Sequence, residues 1–204
     1  MSEIKLAKHI GVNSAVGISG HAETISSLIN SKDHMVKIKP NTVESYIDKN
    51  LAVWATDPQT SQFCGFIKAL PWHPTLVHVK GGMEEIEEVA IQNVIQGLSP
   101  TGIESGSLIV PDIYQGKGIG YEMKQTLADH VITHYPGVPL FSVVDITNEK
   151  SVGLNMKQGW KQLIQGVDIE KINTLMDIVG VDIIQGWNEA CIFLHPQSYK
   201  QIYG

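Results

Sequence analysis

Apolar residues recur at helical spacing in several segments of the chain, and short β-rich runs lie between them. In HAETISSLINS (21–31), Ile25, Leu28 and Ile29 predict a helix. TVESYIDKN predicts a second, short helix, with Asn41 as its cap and Glu44 at the third helical position. LAVWATD (51–57) and QFCGFIKAL (62–70) read as strands joined by PQTS, a hairpin. MEEIEEVAIQNVIQG (83–97) places Ile86, Val89, Ala90 and Ile95 on one side of a helix, and Gly97 is set to end it. A strand over SGSLIV (105–110) precedes a helix from Ile119 to Tyr135, on which Ile119, Met123, Leu127 and Val131 are four apart. PLFSVVD (139–145) is largely apolar, as expected of a strand covered on both faces. A short helix from Ser151 to Gly159, a strand in WKQLIQ, a helix IEKINTLMDIV between Asp168 and Gly180 and a strand NEACIFLH complete the pattern. At the start, IKLAKHI reads as a strand and GVNSAVGISG as a loop. Strands and helices in this order indicate an α+β or α/β domain on one central sheet.

Length and composition add constraints. With 204 residues, no internal repeat and no Pro/Gly/Ser linker, the expectation is one domain over residues 1–204 with its own core. Hydrophobic residues make up 43% and charged residues 18%, which excludes a disordered chain. No apolar run approaches the ~20 residues of a membrane span, so a cytoplasmic protein is expected, without a membrane partner. Cys64 and Cys191 lie in apolar runs and read as small core residues. Net charge is −6, and all 15 basic residues are lysine. Nucleic-acid recognition usually rests on a basic stripe and on arginine forks, so nucleic acid is not expected as a partner. No metal site is expected.

The segment SLIVPDIYQGKGIGYEMKQTLADH carries the chemistry. A β-rich run ends at Val110, Gln115-Gly116-Lys117-Gly118-Ile119-Gly120 follows, and an amphipathic helix begins at once. Glycines let a ligand approach the backbone amides, and a helix start offers unpaired N–H groups with a positive dipole end. Strand, glycine loop and helix start together describe a phosphate site, or a tight strand-to-helix turn. The loop matches neither the P-loop nor the dinucleotide fingerprint, because no Gly-Lys pair has the required Ser/Thr and the third glycine comes too early.

Val110 through Gly120 resembles the acetyl-CoA signature of the GCN5-related N-acetyltransferase (GNAT) family, Q/R-x-x-G-x-G/A after a strand. The run from Asn148 through Ser151, Leu154, Lys157 and Gly159 to Trp160 is similar to the family's second signature, N-x-x-[AS]-x-x-L-Y-x-K-x-G-F. Residues 104–163 carry the resemblance, and the 51–70 hairpin fits the paired strands that precede the signatures.

The resemblance implies an acyl-CoA N-acyltransferase type of α+β fold. Its central twisted mixed sheet would be flanked by helices and splayed at the cofactor strand, between 105–110 and 139–145. A helical insertion is expected at about 83–97 and a C-terminal helix–strand extension at about 167–204. Acetyl-CoA would be the acyl donor. Amides of Gly116, Lys117, Gly118, Ile119 and Gly120, with Gln115 before them and Tyr121 beginning the helix, would hold its pyrophosphate. Leu108, Ile109 and Val110 would pair along the pantetheine arm, one N–H polarising the thioester carbonyl. Asn148 would bond the cofactor near the short helix, a role compatible with capping that helix.

Two positions bear on catalysis. Glu104 stands where the histone-acetylating branch of the family carries its glutamate base; the alternative is a strand-edge surface glutamate. His73 and His78 are further candidates. The family's leaving-group tyrosine after Leu154 is Asn155 here; an amide can hydrogen-bond the sulfur but cannot deliver a proton. Glu84, Glu85, Glu87 and Glu88 form either an acidic lid that recruits a cationic amine or a solvated helix face. The expected activity is acetyl transfer to a primary amine of a small molecule or peptide. The alternative is a non-catalytic acyl-CoA sensor of the same fold. Oligomeric state is open, a homodimer included.

Overall fold

The computed structural model describes residues 7–10, 15–32, 35–57, 59–180 and 190–204, with side-chain environments from residue 21 onward. The elements run β1 (Ala7–Ile10), α1 (Ala15–Asn30), α2 (Pro40–Asp48), β2 (Ala52–Thr56), β3 (Phe63–Trp72), α3 (Gly82–Ile95), β4 (Gly102–Ile109) and α4 (Ile119–His134). They continue with β5 (Leu140–Asp145), α5 (Glu149–Lys157), β6 (Lys161–Leu163), α6 (Ile169–Val179), β7 (Ala190–Leu194) and α7 (Pro196–Tyr203). Short 3₁₀ turns lie at Pro74–His78 and Asp112–Tyr114.

All the described strands join one seven-stranded sheet in the order β1-β2-β3-β4-β5-β7-β6. Every pairing is antiparallel except β4 with β5. Period-2 alternation assigns the two faces. On one face, α4 presents buried Ile119, Met123, Leu127 and Val131 to the strands. It lies so close to β3 that a Cβ at Gly65 would stand 2.6 Å from Met123 Cε. On the other face, α3 turns Glu87, Ala90 and Ile91 inward. With both faces covered, β3 is buried at every position after Phe63, Lys68 included. The core runs through Ile25, Ile29, Tyr46, Phe66, Phe141 and Phe193.

Several expectations need correction. GVNSAVGISG is mostly helical, since α1 begins at Ala15; Ile18, Ala22, Ile25 and Ile29 already repeat at helical spacing. Lys39, not Asn41, is the N-cap of α2, because Pro40 takes the first turn, where a missing N–H costs nothing. β4 starts at Gly102 rather than Ser105, drawn into the sheet by pairing with Trp72. Helix α7 was not expected: Pro196 opens it and the His195 ring accepts from Gln197 N. Cys64 and Cys191 are buried and free. Among the described residues, no helix is long and apolar enough to cross a membrane.

Candidate active site

The sheet is split at β4. This strand pairs with β5 only at Ile103↔Leu140 and Glu104↔Phe141, although both strands continue past those pairs, to Ile109 and Asp145. Ser142 Oγ reaches across to the Ser105 carbonyl at 2.8 Å, a single further link at the apex. β4 is also irregular against β3, where Phe66 pairs Ile109 and Lys68 pairs Gly106, so Ser107 and Leu108 together face one residue. Ser107 has φ of 51°, the left-handed conformation of a bulge. Leu108, in the bulge, and Ile109 and Val110 after it lie where β5 has diverged from β4. An extended ligand could pair there as a strand does.

The glycine loop stands at the end of this strand. Gly116 and Gly118 have φ of 74° and 79°, and Gly118 is the N-cap of α4 without any side-chain cap. A Cβ at either glycine would meet nothing within 4 Å, so conformation rather than crowding demands glycine there, and the space above the amides is open. Gly120 is needed for a different reason. Its Cβ would press on Leu108 Cδ2 at 3.3 Å, so its absence lets the helix start close against β4. Gln115 ties the loop together, donating to the Val110 carbonyl and to Asp112, and accepting from Lys150 Nζ at 3.1 Å. Lys117 lies over the Tyr114 ring and Lys157 over the Tyr121 ring. Uncapped amides, a helix dipole and nearby lysines fit a pyrophosphate. The pyrophosphate of acetyl-CoA would be held by Gly116 to Gly120, with Tyr121 on the helix behind.

Glu104 is the third residue of β4 and lies at the last residue pair before the split. It faces away from α4, opposite Leu70, and its neighbours on that face of the strand are Gly102 and Gly106. Oε2 accepts from Trp72 Nε1 at 3.0 Å. Part of the side chain stays open to solvent, yet the surrounding protein is dense. Burial is accordingly the largest influence and pushes the carboxyl up to about 7. The Trp72 bond and Lys68 oppose that rise, Glu87 adds to it and Lys124 opposes it. Glu104 is therefore not the exposed strand-edge glutamate of the alternative expectation.

Beside it is a polar cluster that sequence reasoning missed. Lys68 Nζ and Glu87 Oε1 are 2.7 Å apart with both side chains 3% exposed. Lys68 also lies over the buried Tyr46 ring, whose hydroxyl burial pushes well above the ordinary value. Removing one member of such a pair costs about 3–5 kcal/mol, because the other is left buried and charged. The signal was present: a lysine at an inward position of an apolar strand requires a carboxylate, and Glu87 shares the helix face of Ala90 and Ile91. Glu84 and Glu85 are exposed, as the solvated-face reading expects, and Glu87 alone departs from it. On the opposite face of β4, buried Lys124 bonds Ser105 Oγ at 3.3 Å and lies 4.2 Å from the Trp160 ring centroid. Burial pulls its amine down to about 7, and Glu104 partly offsets this.

The remaining candidates are spread more widely. Asn148 caps α5, its Oδ1 accepting from Ser151 N at 3.1 Å. Asn155 is buried; one donor of its Nδ2 goes to the Ser151 carbonyl, and its Oδ1 has no protein partner. The unpaired atom of Asn155 is thus an acceptor, suited to a neutral thiol S–H more than to a thiolate. His73 caps the 3₁₀ turn through Thr75, and His78 is exposed on it.

No protein-family model matches the sequence, and no curated protein does. Similarity is found among solved structures. A mosquito arylalkylamine N-acetyltransferase-like protein, 5b, superposes with a TM-score of 0.55 at 15% identity, over 93% of this chain and 100% of that one. The diaminobutyrate acetyltransferase of Paenibacillus lautus, solved with L-2,4-diaminobutyric acid and coenzyme A, gives 0.53 at 13% identity, over 95% and 96%. A GNAT-family N-acetyltransferase from Escherichia coli, solved with CoA, gives 0.54 at 13% identity, over 98% and 86%.

Proposed function

Since the chain has the fold of the GNAT acetyltransferases, we propose that it transfers an acetyl group from acetyl-CoA to a primary amine. The observation that carries this reading is the split itself. A carboxylate poised near neutrality stands at the apex, and an uncapped glycine-rich helix start stands at the open end of the same strand. Structural relatives with bound CoA, and relatives named for arylalkylamine and diaminobutyrate substrates, support the same donor and acceptor classes.

Acetyl-CoA supplies an activated thioester when bound. The chain's own residues divide the remaining work. Gly116, Lys117, Gly118, Ile119 and Gly120 hold phosphate oxygens through their amides, with Gln115 bracing the loop and Tyr121 behind it. Leu108, Ile109 and Val110 would orient the extended arm by backbone pairing, and one of their N–H groups would polarise the thioester carbonyl. Glu104 accepts a proton from the acceptor ammonium at its carboxylate, which frees the nitrogen lone pair. A base near 7 suits this step at neutral pH, being about half ionised there while still holding a proton well. Asn155 cannot protonate sulfur, and its unpaired Oδ1 is an acceptor that would not stabilise a thiolate, so the leaving group, a thiol of ordinary pKa about 8.5, would take its proton from water.

Titration calorimetry with acetyl-CoA, followed by a thiol-release assay over a panel of primary amines, tests the reading. Binding with release on at least one amine is the expected result. Binding without release on any amine would favour the sensor, the reading that Asn155 in place of tyrosine keeps in view. Absence of acetyl-CoA binding would overturn both.

A further inference from the structure

Three of the four glutamates of α3 behave as surface residues: Glu84 and Glu88 hold Lys39 at 3.8 and 2.6 Å, and Glu85 is exposed. Glu87 instead points into the protein and holds Lys68 at 2.7 Å. Strand register explains why this matters. Lys68 is opposite Gly106 and Leu70 is opposite Glu104, so Lys68 and Glu104 are diagonal neighbours on one sheet face. Nothing stands between them at position 106: Glu104 Oε1 lies 3.8 Å from where a Gly106 Cβ would be. A buried ammonium beside an available carboxylate pairs with it unless another is closer. Here Glu87 is that other group.

We propose that Glu87 is a positioning residue for Glu104: by holding the Lys68 ammonium on α3, it prevents a Lys68–Glu104 ion pair and leaves Glu104 free to take the acceptor's proton. This rests on the reading of Glu104 as the proton acceptor. In that step an N–H bond of the ammonium breaks, an O–H bond forms on the carboxylate, and the electron pair stays on nitrogen; the proton then passes to solvent. The groups facing Glu104 are Trp72 and Lys68 from β3, Glu87 from α3 and, through the strand, Lys124 from α4; Tyr46 of α2 lies in the same cluster. Both Lys68 and Glu87 act on Glu104, in opposite directions, the lysine favouring its ionised form.

The test is a ¹³C-carboxyl NMR titration of the full chain without acyl donor, with the Glu104 signal identified by its loss in Glu104→Gln. In Glu87→Gln, Lys68 is released and the Glu104 titration moves down by about one pH unit. In Lys68→Met, Glu104 loses its nearby cation and the titration moves up. Lys68→Met/Glu87→Leu replaces the ion pair by an apolar one and titrates between the two single variants. Should Glu87→Gln fail to fold, Glu87→Asp, whose shorter side chain loosens the hold on Lys68 while keeping the charge, carries the same test, with Glu104 lower than in the wild type. Glu104 unmoved, or moved in one direction by both single variants, would overturn the proposal. Because no substrate is needed, this result is independent of whether any amine is acetylated.

Discussion

The indole nitrogen of Trp72 donates to Oε2 of Glu104 at 3.0 Å, from the last residue of β3 to the third of β4. The residue opposite Trp72 is Gly102, where a Cβ would stand 2.7 Å from Val179 Cγ2, so glycine there makes room for α6 beside the pair. A hydrogen bond to the charged form favours ionisation, so Trp72 restrains the rise that burial produces. Trp72→Phe therefore moves Glu104 further up. Activity at pH 7 falls while activity above pH 8 is nearly retained, which a pH–rate profile of the variant reads directly.

On the proposed reading the ionised Glu104 carboxylate is the active form, and the group lies at about 7. Turnover therefore rises with pH through that value rather than through the ordinary carboxylate range. Glu104→Gln depresses kcat/KM at neutral pH by about 10²- to 10⁴-fold. Acetyl-CoA affinity by calorimetry stays nearly unchanged, and residual activity climbs as more amine is already neutral. An unchanged rate across neutral pH would pass the role to water or to His78.

Gly118→Ala places a Cβ at φ of 79° on the uncapped first amide of α4. The strain costs about 1 kcal/mol of stability, and the methyl enters the space assigned to phosphate. A small drop in melting temperature with a larger loss of acetyl-CoA affinity is expected. Equal effects on both would show that the glycine serves the turn alone.

Lys124 makes stability depend on pH on the other side of β4. Its amine is pulled by burial from 10.5 down to about 7. A depressed amine contributes stability that is present above its unfolded value and lost as pH falls through the folded one. Chemical denaturation should show Lys124→Met gaining on the wild type as pH is lowered from 10 towards 6. A constant difference over that range would contradict the shift.

Local patterns made the hairpin, the long helix α4 and the glycine loop legible, because each depends on residues close together in the chain. The four-residue spacing of Ile119, Met123, Leu127 and Val131 matches the buried stripe of α4. The split between β4 and β5 was legible only through the family resemblance, since no residue in 105–110 or 139–145 states where pairing stops. Glu87 was not legible in isolation: within MEEIEE its neighbours are chemically identical, and only Lys68, on β3, distinguishes it. The N-terminus of β4 was hidden for a similar reason, Gly102 having weak strand preference until Trp72 pairs with it. The strand-like reading of IKLAKHI holds for β1 at Ala7–Ile10, while residues 1–6 and 11–14 lie outside the described residues. So do residues 181–189, including the first part of the NEACIFLH run.

The two residue pairs that join β4 to β5 make the sheet two plates, β1–β4 and β5–β7, stitched along a short seam. Any opening or closing of the plates would turn about that seam, displacing a group on it least and the walls beyond it most. Glu104 is on the seam, and Leu108 to Val110 are on a wall. On the proposed function, differently sized acyl chains or acceptors would be taken up by the walls without displacing the carboxylate.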